Sequence, residues 1–186
     1  RRILGRRRYA MQLGGMHVGI LAAEGVEDLE FWVTVMRLRE EGARVTSIGL
    51  APGTVRGKNG LAVGVDAAVG DVDAASLDGL VLPGGWMPDK LRRYPAILDL
   101  VRTVHAAGRP IGIICHGGLI AISAGIVTGG RATGSLGIRD DLVNAGATWA
   151  DEPAFRDGTL VWGRVVDDIP AFCRELVGAL AAARRV

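Results

Sequence analysis

The sequence predicts an α/β domain in which helices cover both faces of a mostly parallel sheet. Three observations carry that prediction. Short apolar runs alternate with longer segments of helical spacing, the order expected of a parallel sheet. The composition is 49% hydrophobic but only 5% aromatic, with 28 glycines in 186 residues, which suits Val/Ile/Leu strands and Ala-rich helices better than a β-sandwich. Two of the apolar runs end in glycine pairs or reactive side chains, as strands bordering a site do in open sheets.

Along the chain, HVGILAA (17–23) is a short run suited to a strand buried on both faces. EDLEFWVTVMRLREEG (27–42) follows as a helix, with Leu29, Val33, Met36 and Leu38 near helical spacing, acids in the first turn and Gly42 past the end. ARVTSIGL (43–50) is the next strand. The segment 53–69 holds two β-prone pieces around Lys58-Asn59-Gly60, a hairpin signal. DGLVLPGG (78–85) is a core strand ending at Gly84-Gly85, and 88–108 is largely helical. PIGIICHGG (110–118) is another core strand, followed by the helix 119–126. A turn at 128–130, a short helix in 138–147, a hairpin around Asp157-Gly158 and an amphipathic helix in 168–186 complete the chain. No internal repeat or linker divides it, so residues 16–186 are expected to form one domain.

Five arginines crowd the first eight residues, leaving 17 basic against 20 acidic residues in the remainder. Residues 1–15 are accordingly expected to be a disordered Arg-rich extension. The other basic residues are dispersed and carry no interleaved aromatics, which argues against nucleic acid as a partner. No apolar run reaches the roughly 18 residues of a spanning helix, so no membrane association is expected. Two cysteines make no disulfide framework, and a reduced, cytoplasmic setting is the expectation. No Cys/His cluster has metal-ligand spacing; neither metal nor cofactor is expected.

Three strand ends carry the chemistry: Glu24 to Glu30 after the first, Gly84-Gly85 after the third and Cys115-His116 after the fourth. A cysteine between a buried strand and a helix start gains from unpaired N–H groups that favour the thiolate, and Gly117-Gly118 permit a nucleophile elbow. The competing reading is a small buried residue closing a core strand. Cys173, on an amphipathic helix without polar company, reads as core. His116, directly after the cysteine, is awkwardly placed to act as its base unaided; His17 and His105 read as structural. Glu27 and Glu30 stand one turn apart, either as partners of the cysteine or as complements to the helix dipole. A carboxyl packed against the thiolate should be protonated, with a raised pKa.

These stretches resemble the ThiJ/PfpI family, in particular its PfpI-type intracellular protease branch. The matching segments are EDLEFWVTVMRLREEGARV, GLVLPGGWMPDKLR, GRPIGIICHGGLIAISAGI and GIRDDLVNAGATWAD, in order across roughly 17–183. The resemblance implies a flavodoxin-like sandwich that forms dimers, often assembled into hexamers. It implies Cys115 as nucleophile, His116 as the neighbouring catalytic histidine and Glu30 as the glutamate bonded to the cysteine. Glu27, Gly84, Gly117 and Ser135 would line the pocket, and the backbone N–H groups of Gly85 and His116 would form the oxyanion hole. Asp89, contributed across the subunit interface, would orient His116. Asp89 stands where the family motif has Glu, CHGG replaces CHGP, and Ser135 stands where Tyr is common.

The resemblance implies a stress-response enzyme of one of two kinds. One is glyoxalase III or deglycase chemistry on small reactive carbonyls; the other is hydrolysis of peptides as an intracellular cysteine peptidase. Small-carbonyl chemistry is favoured slightly, because paired carboxylates around a cysteine suit a small electrophile. A non-enzymatic alternative is a redox sensor or holdase chaperone using an oxidisable Cys115.

Overall fold

The computed structural model describes residues 10–184. Its elements, in order, are β1 (His17–Leu21), α1 (Asp28–Glu40), β2 (Arg44–Gly49), β3 (Gly53–Arg56), β4 (Ala62–Val65), β5 (Ala67–Ala68), β6 (Gly79–Leu82), α2 (Met87–Leu91), α3 (Pro95–Ala106), β7 (Ile111–Ile114), α4 (Gly118–Ala124), β8 (Arg131–Ala132), α5 (Arg139–Asn144), β9 (Thr148–Trp149), β10 (Ala154–Asp157), β11 (Leu160–Gly163) and α6 (Ile169–Ala183). Seven strands form one sheet in the order β10-β11-β7-β6-β1-β2-β5. Only β10, paired with β11 through the turn after Asp157, runs antiparallel. The predicted α/β class and both hairpins are therefore present.

Strand order positions the site. From β1 the chain moves through α1 to β2 on one side, then returns to place β6 and β7 on the other. Because such crossovers are right-handed, the reversal puts helices on opposite faces and opens a crevice at the carboxyl ends of β1 and β6. α1 and α6 pack together on one face, while α3 and α4 pack on the other. β6 and β7 are buried throughout and supply the apolar floor.

The stretch 88–108, expected to be largely helical, is made of two helices. Pro95 opens α3, and Tyr94 before it is extended (φ −103°, ψ 114°), the conformation a following proline imposes. α1 buries Phe31, Thr34, Val35 and Leu38, whereas Leu29, Val33 and Met36 face solvent. The expected disordered extension stops short of residue 15. Leu13 is fully buried and its N–H donates to the Glu41 carbonyl at 2.8 Å, while the Gln12 N–H donates to the Glu41 carboxylate at 3.0 Å. Residues 1–9 of that extension lie outside the described residues. Among the described residues, no helix is long and apolar enough to cross a membrane.

Candidate active site

Three neighbouring strands deliver the site. β7 ends at Ile114, and Cys115 begins a short 3₁₀ turn, Cys115–Gly117, that leads into α4. Cys115 has φ 57°, the only positive value at a non-glycine among the described residues. Left-handed backbone costs a side-chain-bearing residue roughly 1–2 kcal/mol, and such strain gathers where a side chain must be presented. Two glycines make this turn possible. A Cβ on Gly117 would lie 2.1 Å from the Leu82 carbonyl oxygen, and one on Gly84 would lie 2.7 Å from Glu30 Oε2 and 2.9 Å from Cys115 Cβ.

The loop after β1 brings the carboxylates. Glu27 is the N-cap of α1, its Oε2 accepting the Glu30 N–H at 2.8 Å, while its Oε1 accepts from Asn59 Nδ2 at 3.0 Å. Of the two readings of the sequence, Glu27 fits the dipole complement: its two oxygens are taken by Glu30 and Asn59 rather than by the cysteine. Glu30 is fully buried, and its Oε2 accepts the Gly84 N–H at 2.6 Å. Its Oε1 has no conventional donor, and the Cys115 thiol meets the carboxyl. Burial raises the Glu30 pKa to about 7 against the opposing Gly84 N–H bond, with the Glu27 charge adding to the rise.

The thiol behaves differently from the sequence expectation. Burial and the adjacent Glu30 charge push the Cys115 pKa up to about 12, although the N–H groups of His116 and Gly85 act to lower it. Helix-end donors are present but outweighed, because the cysteine sits against a buried carboxylate. The thiol therefore keeps its proton near pH 7, beside a carboxyl that titrates at about 7. The same two N–H groups, from Gly85 and His116, face the sulfur where a developing oxyanion would need donors.

His116 is better aimed than its adjacency suggests. Its Nδ1 lies 3.4 Å from Cys115 Sγ, and its Nε2 faces the turn at Gly137 that precedes α5. Burial lowers its pKa, the Lys58 charge lowers it further, and Asp141 opposes both. The ring is thus neutral near pH 7, and Asp141 is the same-chain carboxylate that acts on it. Asp141→Asn is expected to move the His116 pKa further down and Lys58→Met to move it up, read from the ring resonances in an NMR titration. A shift of the same sign in both variants would contradict this balance.

A cavity of about 340 Å³ opens over the sulfur, lined by Glu27, Glu30, Gly85, Cys115, His116 and Ser135 among the expected residues. Gly84 and Gly117, expected in the pocket, do not line it: Gly117 packs against the Leu82 carbonyl and Gly84 against Glu30 and Cys115. Asp89 is absent from it: on α2 it is exposed and ion-paired with Arg93. Lys58, Trp86, Val165, Val166 and Asp167 complete the lining and were not singled out from sequence. Lys58 reads there only as a turn residue, and nothing local announces that the hairpin folds back over α1. Cys173 is buried on α6 as expected, 3.8 Å from Thr34 Oγ1.

Known proteins share this arrangement of strands. The family model described as "DJ-1/PfpI family" matches residues 16–179. Deglycase PfpI of Pyrococcus furiosus is 38% identical over 165 residues, 89% of this chain and 99% of that protein. General stress protein 18 of Bacillus subtilis is 37% identical over 169 residues, 89% of this chain and 98% of that protein. The crystal structure of a two-domain Anabaena variabilis protein, with DJ-1/ThiJ/PfpI-like and ferritin-like domains, superposes with a TM-score of 0.87 at 32% identity; the match covers 89% of this chain and 48% of that longer one. The chain belongs to the DJ-1/PfpI family.

Proposed function

We propose that the chain is a cysteine-dependent enzyme acting on small reactive carbonyls, with chemistry of the glyoxalase or deglycase type. The observation that carries this reading is the half-buried Cys115 on a strained elbow beside the buried Glu30 of α1, both lining a cavity of about 340 Å³. That volume lies at the small end of ligand pockets, about 300–1,000 Å³, and readily admits a small carbonyl compound. Deglycase relatives across nearly the full chain support the same class.

For a 2-oxoaldehyde the steps balance without an external oxidant. Cys115 sulfur bonds to the aldehyde carbon as Glu30 takes the thiol proton and passes it to the carbonyl oxygen, giving a hemithioacetal and leaving Glu30 ionised. Glu30 or His116 then removes the proton on that carbon and returns it to the adjacent carbon, while the hydroxyl proton of the first carbon moves to the oxygen of the second. The first carbon is oxidised to a thioester as the second is reduced to an alcohol. Water cleaves the thioester, releasing a 2-hydroxy acid and restoring the thiol. In a homodimer or hexamer, Asp89 of a second copy would reach His116 by exchanging its Arg93 partner; its exposed position is compatible with that role.

The test runs methylglyoxal and a fluorogenic peptide side by side on the native chain. Lactate formation without peptide cleavage is the expected result. Peptide cleavage without lactate would transfer the reading to a peptidase. If neither turns over and mild peroxide adds oxygen selectively at Cys115, the redox-sensor reading replaces both.

A further inference from the structure

We propose that the cavity contains a carboxylate subsite centred on the Lys58 ammonium, which holds a two- or three-carbon 2-hydroxy or 2-oxo acid against Cys115. Lys58 is the only lysine or arginine lining that cavity. Among the described residues its ammonium has neither an ion pair nor a hydrogen bond, although three carboxylates line the same space.

The placement of Lys58 is built into the fold. Its own N–H donates to the Val26 carbonyl at 2.8 Å. The Asn59 and Leu61 N–H groups donate to the two Asp28 oxygens at 2.7 and 2.8 Å. A Cβ on Gly57 would lie 2.4 Å from Asp28 Oδ1, so the β3–β4 turn closes directly onto the first turn of α1. The side chain of Lys58 takes no part in this clamp, which leaves the ammonium available to a ligand.

The neighbouring carboxylates are engaged elsewhere. Glu27 uses one oxygen for the Glu30 N–H and the other for Asn59. Glu30 faces the Gly84 N–H and the Cys115 thiol. Asp167 lies on an exposed turn at the rim. The Lys58 charge reaches both Glu30 and His116, acting to lower the pKa of each. A cation that influences both groups beside the sulfur is placed to meet an anion there.

The chemistry of the occupant follows, resting on the reading of Cys115 as the cavity's nucleophile. The proposed reaction converts a neutral 2-oxoaldehyde into a carboxylate, so Lys58 faces the charge that appears on the product. An aldehyde that already carries a carboxylate, such as glyoxylate, would use the same contact for orientation.

Alkylation of Cys115 by iodoacetate and iodoacetamide tests the subsite. In both reactions a sulfur–carbon bond forms as iodide leaves; the reagents differ in charge. The iodoacetate-to-iodoacetamide rate ratio is expected to fall about three- to tenfold in Lys58→Met, the effect of one partly screened charge. Lys58→Arg should restore most of the ratio, and Lys90→Met, outside the cavity, should leave it unchanged. An unchanged ratio in Lys58→Met overturns the subsite while the nucleophile stands. Absence of alkylation in every protein removes the nucleophile instead, and a second measurement then decides the subsite. Glycolate is titrated calorimetrically into Cys115→Ala, with and without Lys58→Met. Binding about tenfold weaker without the lysine supports the subsite, at the strength of a charge-assisted contact; equal binding overturns it.

Discussion

Replacing Cys115 by Ala is expected to lower lactate formation from methylglyoxal by about three orders of magnitude or more, because no other group can form the covalent intermediate. Lactate produced equally by both proteins would remove the nucleophile from the mechanism. Cys115→Gly should be equally inactive, yet the two variants should differ in stability. Alanine keeps the left-handed backbone at φ 57° with a Cβ attached, whereas glycine adopts it without steric cost. The glycine variant is therefore expected to unfold about 1 kcal/mol later than the alanine variant in denaturant titrations. Equal stability would mean that the elbow stores no backbone strain.

Glu30→Gln is expected to move activity and stability in opposite directions. The carboxyl has a folded pKa of about 7 against an ordinary value of 4.5. A raised acid contributes stability that is complete below about pH 4.5 and is lost as pH rises through 7. Glutamine removes that loss, a gain on the order of 2–3 kcal/mol at pH 8 and several degrees in Tm. Turnover should fall about 100-fold, the usual contribution of a positioned base, and the limb of the kcat/KM profile rising near pH 7 should disappear. Removing the Glu30 charge also lowers the Cys115 pKa, so iodoacetamide should alkylate this variant faster than the native protein. Slower alkylation together with slower turnover would contradict this account.

Features determined by local chemistry could be read from sequence. The four-residue apolar run Ile111–Ile114, followed at once by Cys-His-Gly-Gly, announces a buried strand and a tight turn, and both are present. Local chemistry placed Glu27 and Glu30 together on the first helical turn after β1 but did not choose between them; burial of Glu30 beside the cysteine is a property of the fold. The ionisation of the thiol was not legible, since it depends on how far the fold buries the sulfur and, after that, on the carboxylate another segment brings beside it. Lys58 was missed for a related reason. Backbone N–H groups dock its hairpin onto Asp28, and backbone donors leave no side-chain signature. The helical character of 88–108 was legible, and Pro95 within it marks where the second helix begins. β5, β8 and β9, at two residues each, are too short for any period to show.

The clamp between Asp28 and the hairpin also bears on engineering. A loop that hangs free can be exchanged between relatives as a cassette, with its ends as the only splice points. Here the 57–61 turn is also held in its middle, to a side chain just over thirty residues earlier in the sequence. A graft that carries the turn without an acid at position 28 would leave two amides without acceptors and shift the tip away from the sulfur. The transferable unit is discontinuous: the opening turn of α1 together with the hairpin that rests on it.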